Sequence, residues 1–227
     1  MSTLYIVATP IGNLEDMSPR AVEVLKSVSH IACEDTRTSG VLLNHFGIKT
    51  PTFPFHQHNE HEKLSELMEL LDANRDVAII SDAGMPGISD PGFLAVREAH
   101  QRGHQVSVVP GPDAATSALV VSGLPADRYL FEGFLPHKKG RQKRLKELSD
   151  EERTIIFYES PYRIIKLLKE LNNHFGSDRW ACVARELTKK FEEVVRGKLG
   201  ELLKEFENRD QLKGEFVLVV APAGYDD

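Results

Sequence analysis

Three apolar runs in the first 118 residues break off into loops rich in glycine or proline, and that pattern restricts the fold more than anything else in the chain. Leu4–Ala8 (LYIVA) runs into ATPIGNL (Ala8–Leu14), Val77–Ser81 (VAIIS) into SDAGMPGISDPG (Ser81–Gly92), and Gln105–Pro110 (QVSVVP) into PGPDAATSA (Pro110–Ala118). A fourth short run, His30–Glu34 (HIACE), reads as a strand too. Helical patterns lie between. Ser18-Pro19 supplies an N-cap and a first-turn proline ahead of Ala21, Val24, Leu25 and Val28 at helical spacing. Thr38 to Phe46 reads as a short helix ended by Gly47, Glu60 to Leu71 as an amphipathic one, and Gly92 to Gln101 as one closed by Gly103. Strands alternating with helices imply right-handed crossovers and a mainly parallel sheet.

The second half has a different rhythm. Tyr129–Phe134 and Thr154–Ser160 read as strands, followed by a helix from Tyr162 to about Asn173. Trp180–Glu186, Phe191–Gly197 and Glu215–Ala221 read as further strands, with a helix from Leu199 to Phe206 between the last two. Close strand neighbours predict a mixed sheet with antiparallel pairs. Trp180 and Phe191 are expected in its core. A boundary near Ser122-Gly123-Leu124-Pro125 divides the chain into an N-terminal α/β domain, 1–121, and a C-terminal α/β domain, 122–227.

The 227 residues are 41% hydrophobic and 27% charged, a balance suited to real cores. No apolar run approaches the roughly 18–20 residues of a membrane span, the N-terminus lacks a basic leader region, and only Cys33 and Cys182 occur. The expected location is the cytoplasm. A net charge of −6 argues against indiscriminate nucleic-acid binding, but HKKGRQKRLK (His137–Lys146) carries six Lys/Arg and no acid. A basic arm on an acidic body predicts a local anionic partner. Lys138, Lys139, Arg141, Lys143, Arg144 and Lys146 are the candidate RNA-binding residues, with Pro136 and Gly140 predicting an exposed, flexible arm. The alternative is a solvated helix face. Arg163 is a weaker candidate, equally readable as an ordinary helix-surface arginine.

In open α/β sheets, ligands sit beyond the carboxyl ends of the strands. The spacing of Gly84, Gly87 and Gly92 fits neither a dinucleotide fingerprint nor a P-loop. Asp82, Asp90 and Asp113 would repel a pyrophosphate, and no Lys or Arg lies within the loops to compensate. A cationic ligand rich in donors suits them, and S-adenosylmethionine is one such metabolite among several.

Taken in order, LYIVATPIGNLEDMSPRA, ACEDTRTSG, SDAGMPGISDPG, PGPDAATSAL, FEGFLP, FYESPYR, VARELTKKFEE and KGEFVLVV resemble the tetrapyrrole methylase superfamily over nearly the whole chain. ACEDTRTSG and the long glycine loop resemble its bacterial 16S rRNA cytidine 2′-O-methyltransferase branch. The resemblance implies two α/β domains with S-adenosylmethionine in the cleft between them, and a homodimer. It places Pro10 under the cofactor and puts Ser81-Asp82-Ala83 where the superfamily has Gly-Asp-Pro, with Asp82 and Met85 near the methionine and ribose parts. Asp113 and Ala114 fall where the family's second loop meets the cofactor. Tyr158, Glu159 and Leu187 are implied over the adenine, with Gly214 nearby. The implied acceptor is a decoding-region cytidine of 16S rRNA in the small ribosomal subunit. A tetrapyrrole or a modified histidine on a protein is a second acceptor class, and a non-catalytic RNA-binding relative is a third reading.

A ribose hydroxyl is a poor nucleophile near neutral pH and benefits from a base. Glu34, Asp35 and Arg37 end a strand on the same sheet edge as the loops, so one carboxylate is a candidate proton acceptor and Arg37 a candidate phosphate ligand. The competing reading is that Asp35 or Thr36 caps the following helix. His56, His58 and His61 match no standard zinc spacing, and no metal is expected.

Overall fold

The computed structural model describes residues 2–227. They form two compact units, one ending at Asp113 and the other spanning Ala114–Asp227.

In the first unit, β1 (Thr3–Val7), β2 (His30–Cys33), β3 (Thr52–Pro54), β4 (Val77–Ile80) and β5 (Gln105–Val109) make a sheet of order β3-β2-β4-β1-β5. Every pairing is parallel. All four residues of β4 are buried, as expected for a central strand covered on both faces. Alternate side chains feed two cores. Leu4, Ile6, Val77 and Ile79 meet Leu67, Met68 and Leu71 of α3 (Glu60–Asp72) and Ala95 and Ala99 of α4 (Phe93–Gln101). Val7, Ile31, Ala78 and Ile80 meet Ala21 and Leu25 of α1 (Pro19–Ser27) and Leu43 of α2 (Thr36–His45). Ser18 caps α1 by accepting from the Ala21 N–H at 3.1 Å.

The second unit opens with α5 (Ala114–Ser122), which packs on its own unit's sheet. The division of the chain therefore falls at the start of this helix, with Ser122–Pro125 at its far end. The sheet contains β6 (Tyr129–Phe134), β7 (Thr154–Glu159), β8 (Trp180–Arg185), β9 (Glu193–Lys198) and β10 (Phe216–Val220), in the order β6-β7-β10-β8-β9. The β6–β7 pair is parallel and the other pairs are antiparallel, so the sheet is mixed. Its core joins Ile155, Phe157, Val183 and Leu218 to α6 (Arg141–Leu148), α7 (Ile164–Phe175) and α8 (Leu199–Glu207). On α7 the buried Ile164, Leu167, Leu168 and Leu171 follow the three-four spacing of a one-faced helix. Each such leucine contributes about 1.5–3 kcal/mol by leaving water.

Two expectations are corrected here. Phe191 is 65% exposed rather than core, because β9 begins at Glu193, two residues beyond it. The basic segment is an exposed turn followed by α6, rather than a flexible arm throughout. Among the described residues, no helix is long and apolar enough to cross a membrane.

Candidate active site

The loop after β1 and the loop after β4 are stitched together. Thr9 and Gly84 exchange two backbone hydrogen bonds, at 2.9 and 3.1 Å. The fully buried Thr9 hydroxyl donates to the Ser81 carbonyl at 3.1 Å, and the Ser81 hydroxyl donates to the Gly84 carbonyl at 3.2 Å. The loop after β5 closes against both: a Cβ on Gly111 would lie 2.9 Å from the Ala8 Cβ, and one on Gly84 would lie 3.7 Å from the Pro112 carbonyl. Gly84 has φ +86°, a conformation L side chains rarely adopt, so its backbone rather than crowding calls for glycine there. The three loops singled out in the sequence form one cluster, with Pro10 and Ser81 buried, Met85 half-buried, and Asp82 and Ala83 exposed.

Carboxylates from β2 and β4 converge beside this cluster. The Asp35 N–H donates to Asp82 Oδ1 at 3.2 Å. Burial, then the neighbouring Asp82 charge, raises the Glu34 carboxyl above its usual range, with His56 opposing. Partial loss of water around its carboxyl, together with the Asp35 charge, likewise raises the otherwise exposed Asp82. Asp90 is pushed up to about 7 by burial and by the charges of Glu34 and Asp82. None of the three forms an ion pair among the described residues.

Asp35 behaves in the opposite way. It is the N-cap of α2, accepting from the Arg37 N–H at 2.8 Å. Its carboxylate also takes the Arg37 guanidinium through two contacts, 3.1 and 2.7 Å long. These bonds to Arg37 hold Asp35 down to about 2. Such a group has little tendency to accept a proton, and the capping reading of Asp35 is the one its geometry realises. Arg37 is 89% exposed and already occupied by Asp35.

Glu60 is a further functional position that no local pattern marks. From the first turn of α3, its Oε1 accepts from the Gly92 and Leu94 N–H groups at 3.1 and 3.3 Å, satisfying the N-terminus of α4 and closing the long loop. Neighbouring His56 and His58 stack edge to face, 6.1 Å between centroids. No group of three or more His, Cys, Asp or Glu among the described residues is arranged to hold a metal.

In the second unit, Tyr158 and Glu159 end β7, with Tyr158 edge-on to Phe131 and Phe134 at 5.1 and 5.6 Å. Leu187 is buried beyond β8. Gly214 has φ +95°, and a Cβ there would overlap the Glu186 side chain. Asp113 closes the first unit and Ala114 starts α5 in the second.

The basic residues separate into two sets. Lys138, Lys139 and Lys146 are exposed and form no ion pair among the described residues, while Lys143 is exposed and 3.8 Å from Glu147. Arg144 is bound to Glu132 at 2.9 and 2.6 Å. Arg141, expected among the RNA-contacting residues, is 2% exposed and donates to Glu170 at 2.8 Å. It is corrected to an internal ion-pair residue, because its position on α6 faces the core beside Leu145 and Leu148.

A parallel sheet with joined glycine loops, followed by a mixed sheet, is an arrangement shared with methylases of the tetrapyrrole type. The chain belongs to the family Tetrapyrrole (Corrin/Porphyrin) Methylases, whose pattern matches residues 3–203. It is 51% identical over 227 residues to ribosomal RNA small subunit methyltransferase I of Xylella fastidiosa, covering 99% of this chain and 83% of that protein. It is 46% identical over 221 residues to the protein of the same name from Thermotoga maritima, covering 97% and 99% of the two chains. Solved structures share the fold at low identity. Diphthine synthase superposes with a TM-score of 0.74 at 15% identity, covering 97% of this chain and 90% of its own. The methyltransferase CobJ gives 0.73 at 18%, covering 100% and 97%.

Proposed function

We propose that this chain is an S-adenosylmethionine-dependent methyltransferase acting on the ribose 2′-hydroxyl of a decoding-region cytidine in 16S rRNA of the small ribosomal subunit. The observation that carries this reading is the 51% identity, over 99% of the chain, to a relative named for small-subunit rRNA methylation. The strand-end chemistry agrees with it. Half-buried, mutually repelling carboxylates with no cation among them suit a ligand bearing a sulfonium and an ammonium group. This set of acceptors therefore fits S-adenosylmethionine.

When bound, that cofactor supplies a methyl group activated by its sulfonium. Within the first unit, Pro10, Ser81, Asp82, Ala83, Met85 and Asp113 would hold it, and Ala114, Tyr158, Leu187 and Gly214 are the second unit's own candidates; the Glu159 carboxylate, expected at the adenine, is committed instead to Arg163 and the Ser160 N–H. The stitched loops keep their backbone groups in place before binding, which limits the ordering cost. Glu34 is the preferred acceptor for the ribose proton, because burial raises its affinity for a proton while Asp35 is tied to Arg37. Positioning of the hydroxyl supplies a large share of the rate. The reading includes a cytoplasmic homodimer. The exposed Val120 and Val121 on α5 are apolar surface that a second copy would cover, and sedimentation of the purified protein tests it.

The deciding experiment is methyl transfer from labelled S-adenosylmethionine to small subunits purified from cells lacking this protein, with naked 16S rRNA alongside. Label on a single cytidine ribose is expected. Label on a base, on a protein or on neither substrate overturns the reading.

A further inference from the structure

Glu159 ends β7 with a side chain only 1% exposed. A carboxylate removed from water needs donors or cations around it. It accepts from the Ser160 N–H at 2.8 Å, pairs with Arg163 Nη2 at 2.8 Å, and lies 3.8 Å from Arg141 Nη2. The Arg141 guanidinium is anchored mainly by Glu170, with contacts of 2.8 and 2.7 Å.

Each arginine has a further partner, and both partners lie in the same short loop. Arg141 Nη1 donates to the Pro136 carbonyl at 3.2 Å. Arg163 Nη1 lies 2.9 Å from both nitrogens of the His137 imidazole, and since guanidinium has only donors, the unprotonated ring nitrogen is the acceptor. The two residues that follow are Lys138 and Lys139, exposed and without an ion pair among the described residues. Farther along the basic segment, Arg144 is committed to Glu132 and Lys143 lies near Glu147. Of the three lysines of the segment with no ion pair among the described residues, Lys146 lies on α6, while Lys138 and Lys139 share a loop held from beneath by two arginines that flank one buried carboxylate, Arg163 in direct contact and Arg141 at 3.8 Å.

We propose that Glu159 is a positioning residue, which through Arg141 and Arg163 fixes the loop Pro136–Gly140 so that Lys138 and Lys139 meet RNA phosphates. The inference rests on the rRNA reading above. A lysine on a fixed loop loses less freedom on binding than one on a mobile loop, so the network acts on affinity for the polyanion. Phosphate contacts position RNA without reading its sequence.

The test is a double-mutant cycle on methyl transfer to small subunits, using Glu159→Gln, the pair Lys138→Ala/Lys139→Ala, and their combination. Glu159→Gln is expected to raise KM for the subunit about tenfold and by more than it lowers kcat. The lysine pair should do the same and lower the salt slope by about two. Combined, the variants should lose little more than the lysine pair alone, because they remove one function. Should Glu159→Gln not fold, Arg163→Gln, with a side chain 23% exposed, takes its place in the cycle. Fully additive losses, or a kcat effect with KM unmoved, overturn the positioning role. A wild-type protein that labels no RNA overturns the rRNA reading instead.

Discussion

The Asp35 N–H donates to Asp82 Oδ1 at 3.2 Å, joining the carboxyl ends of β2 and β4, while the Asp35 carboxylate points into its own helix cap. Main chain and side chain of one residue thus serve different structures. The main chain orients a loop carboxylate, and the side chain starts α2.

Asp35→Asn should therefore keep most of its turnover, since asparagine caps a helix about as well as aspartate. Asp35→Ala should lower the melting temperature by about 2–4 °C, the loss of a typical cap in a protein of this size. Glu34→Gln should lower kcat on small subunits by about 10²-fold or more, the scale of a lost general base. Parallel kcat and melting measurements on the three variants check the separation. A large kcat loss in Asp35→Asn with Glu34→Gln unaffected would exchange the two roles.

Asp90 sets the expected pH dependence. Its folded value of about 7 lies above the unfolded value of about 3.9. A raised carboxylate favours the fold while it is protonated, so its contribution is full below about pH 4 and is lost as pH rises through about 7. Unliganded protein should on this account be less stable at pH 8 than at pH 6. Asp90→Asn should regain about 1–2 kcal/mol at pH 8. A cationic cofactor should bind more tightly above pH 7 in the wild type, and calorimetry across that range should find the dependence flattened in Asp90→Asn.

Thr9→Val removes a fully buried hydroxyl that donates to the Ser81 carbonyl while keeping the side-chain shape. The orphaned carbonyl should cost about 1–3 kcal/mol. Hydrogen exchange should speed up at Gly84, whose N–H donates to the Thr9 carbonyl. Unchanged exchange there would show that the Thr9–Gly84 bridge holds without the hydroxyl.

Gly214→Ala combines a positive φ with overlap on Glu186. Glu186 accepts from Lys189 and from the Glu215 N–H, at 2.8 and 3.0 Å, so it cannot move aside freely. A loss of about 1–3 kcal/mol in chemical denaturation is expected, and a loss below about 0.5 kcal/mol would mean the strand entry relaxes around the methyl group.

Alternation of apolar runs with helical spacing made the parallel sheet legible, because β4 is buried on both faces and reads as an unbroken apolar run. The strand β3 was not legible: three residues ending at a proline carry almost no period. α5 escaped because its sequence, AATSALVVS, is apolar nearly all round, with exposed Val120 and Val121 next to buried Leu119. α6 stood only as the alternative to a flexible arm, and its buried side was not legible because Arg141, which starts it, has the chemistry of a surface. At the candidate site, the loops were legible from glycine and proline, and the cap on Asp35 stood as an alternative. The Glu60 contact to Gly92 spans 32 residues in sequence, and no local signal reports it. The separation of Asp35 from Asp90 in proton affinity was illegible too, since burial and neighbouring charge arise only on folding.

The bridge between Thr9 and Gly84 extends the sheet by one antiparallel rung just beyond the carboxyl ends of β1 and β4. A rung of that kind cannot slide without breaking both of its hydrogen bonds. At that rung the mouth of the first unit is therefore built as masonry rather than as a flap, and any movement that admits a ligand falls to residues outside it.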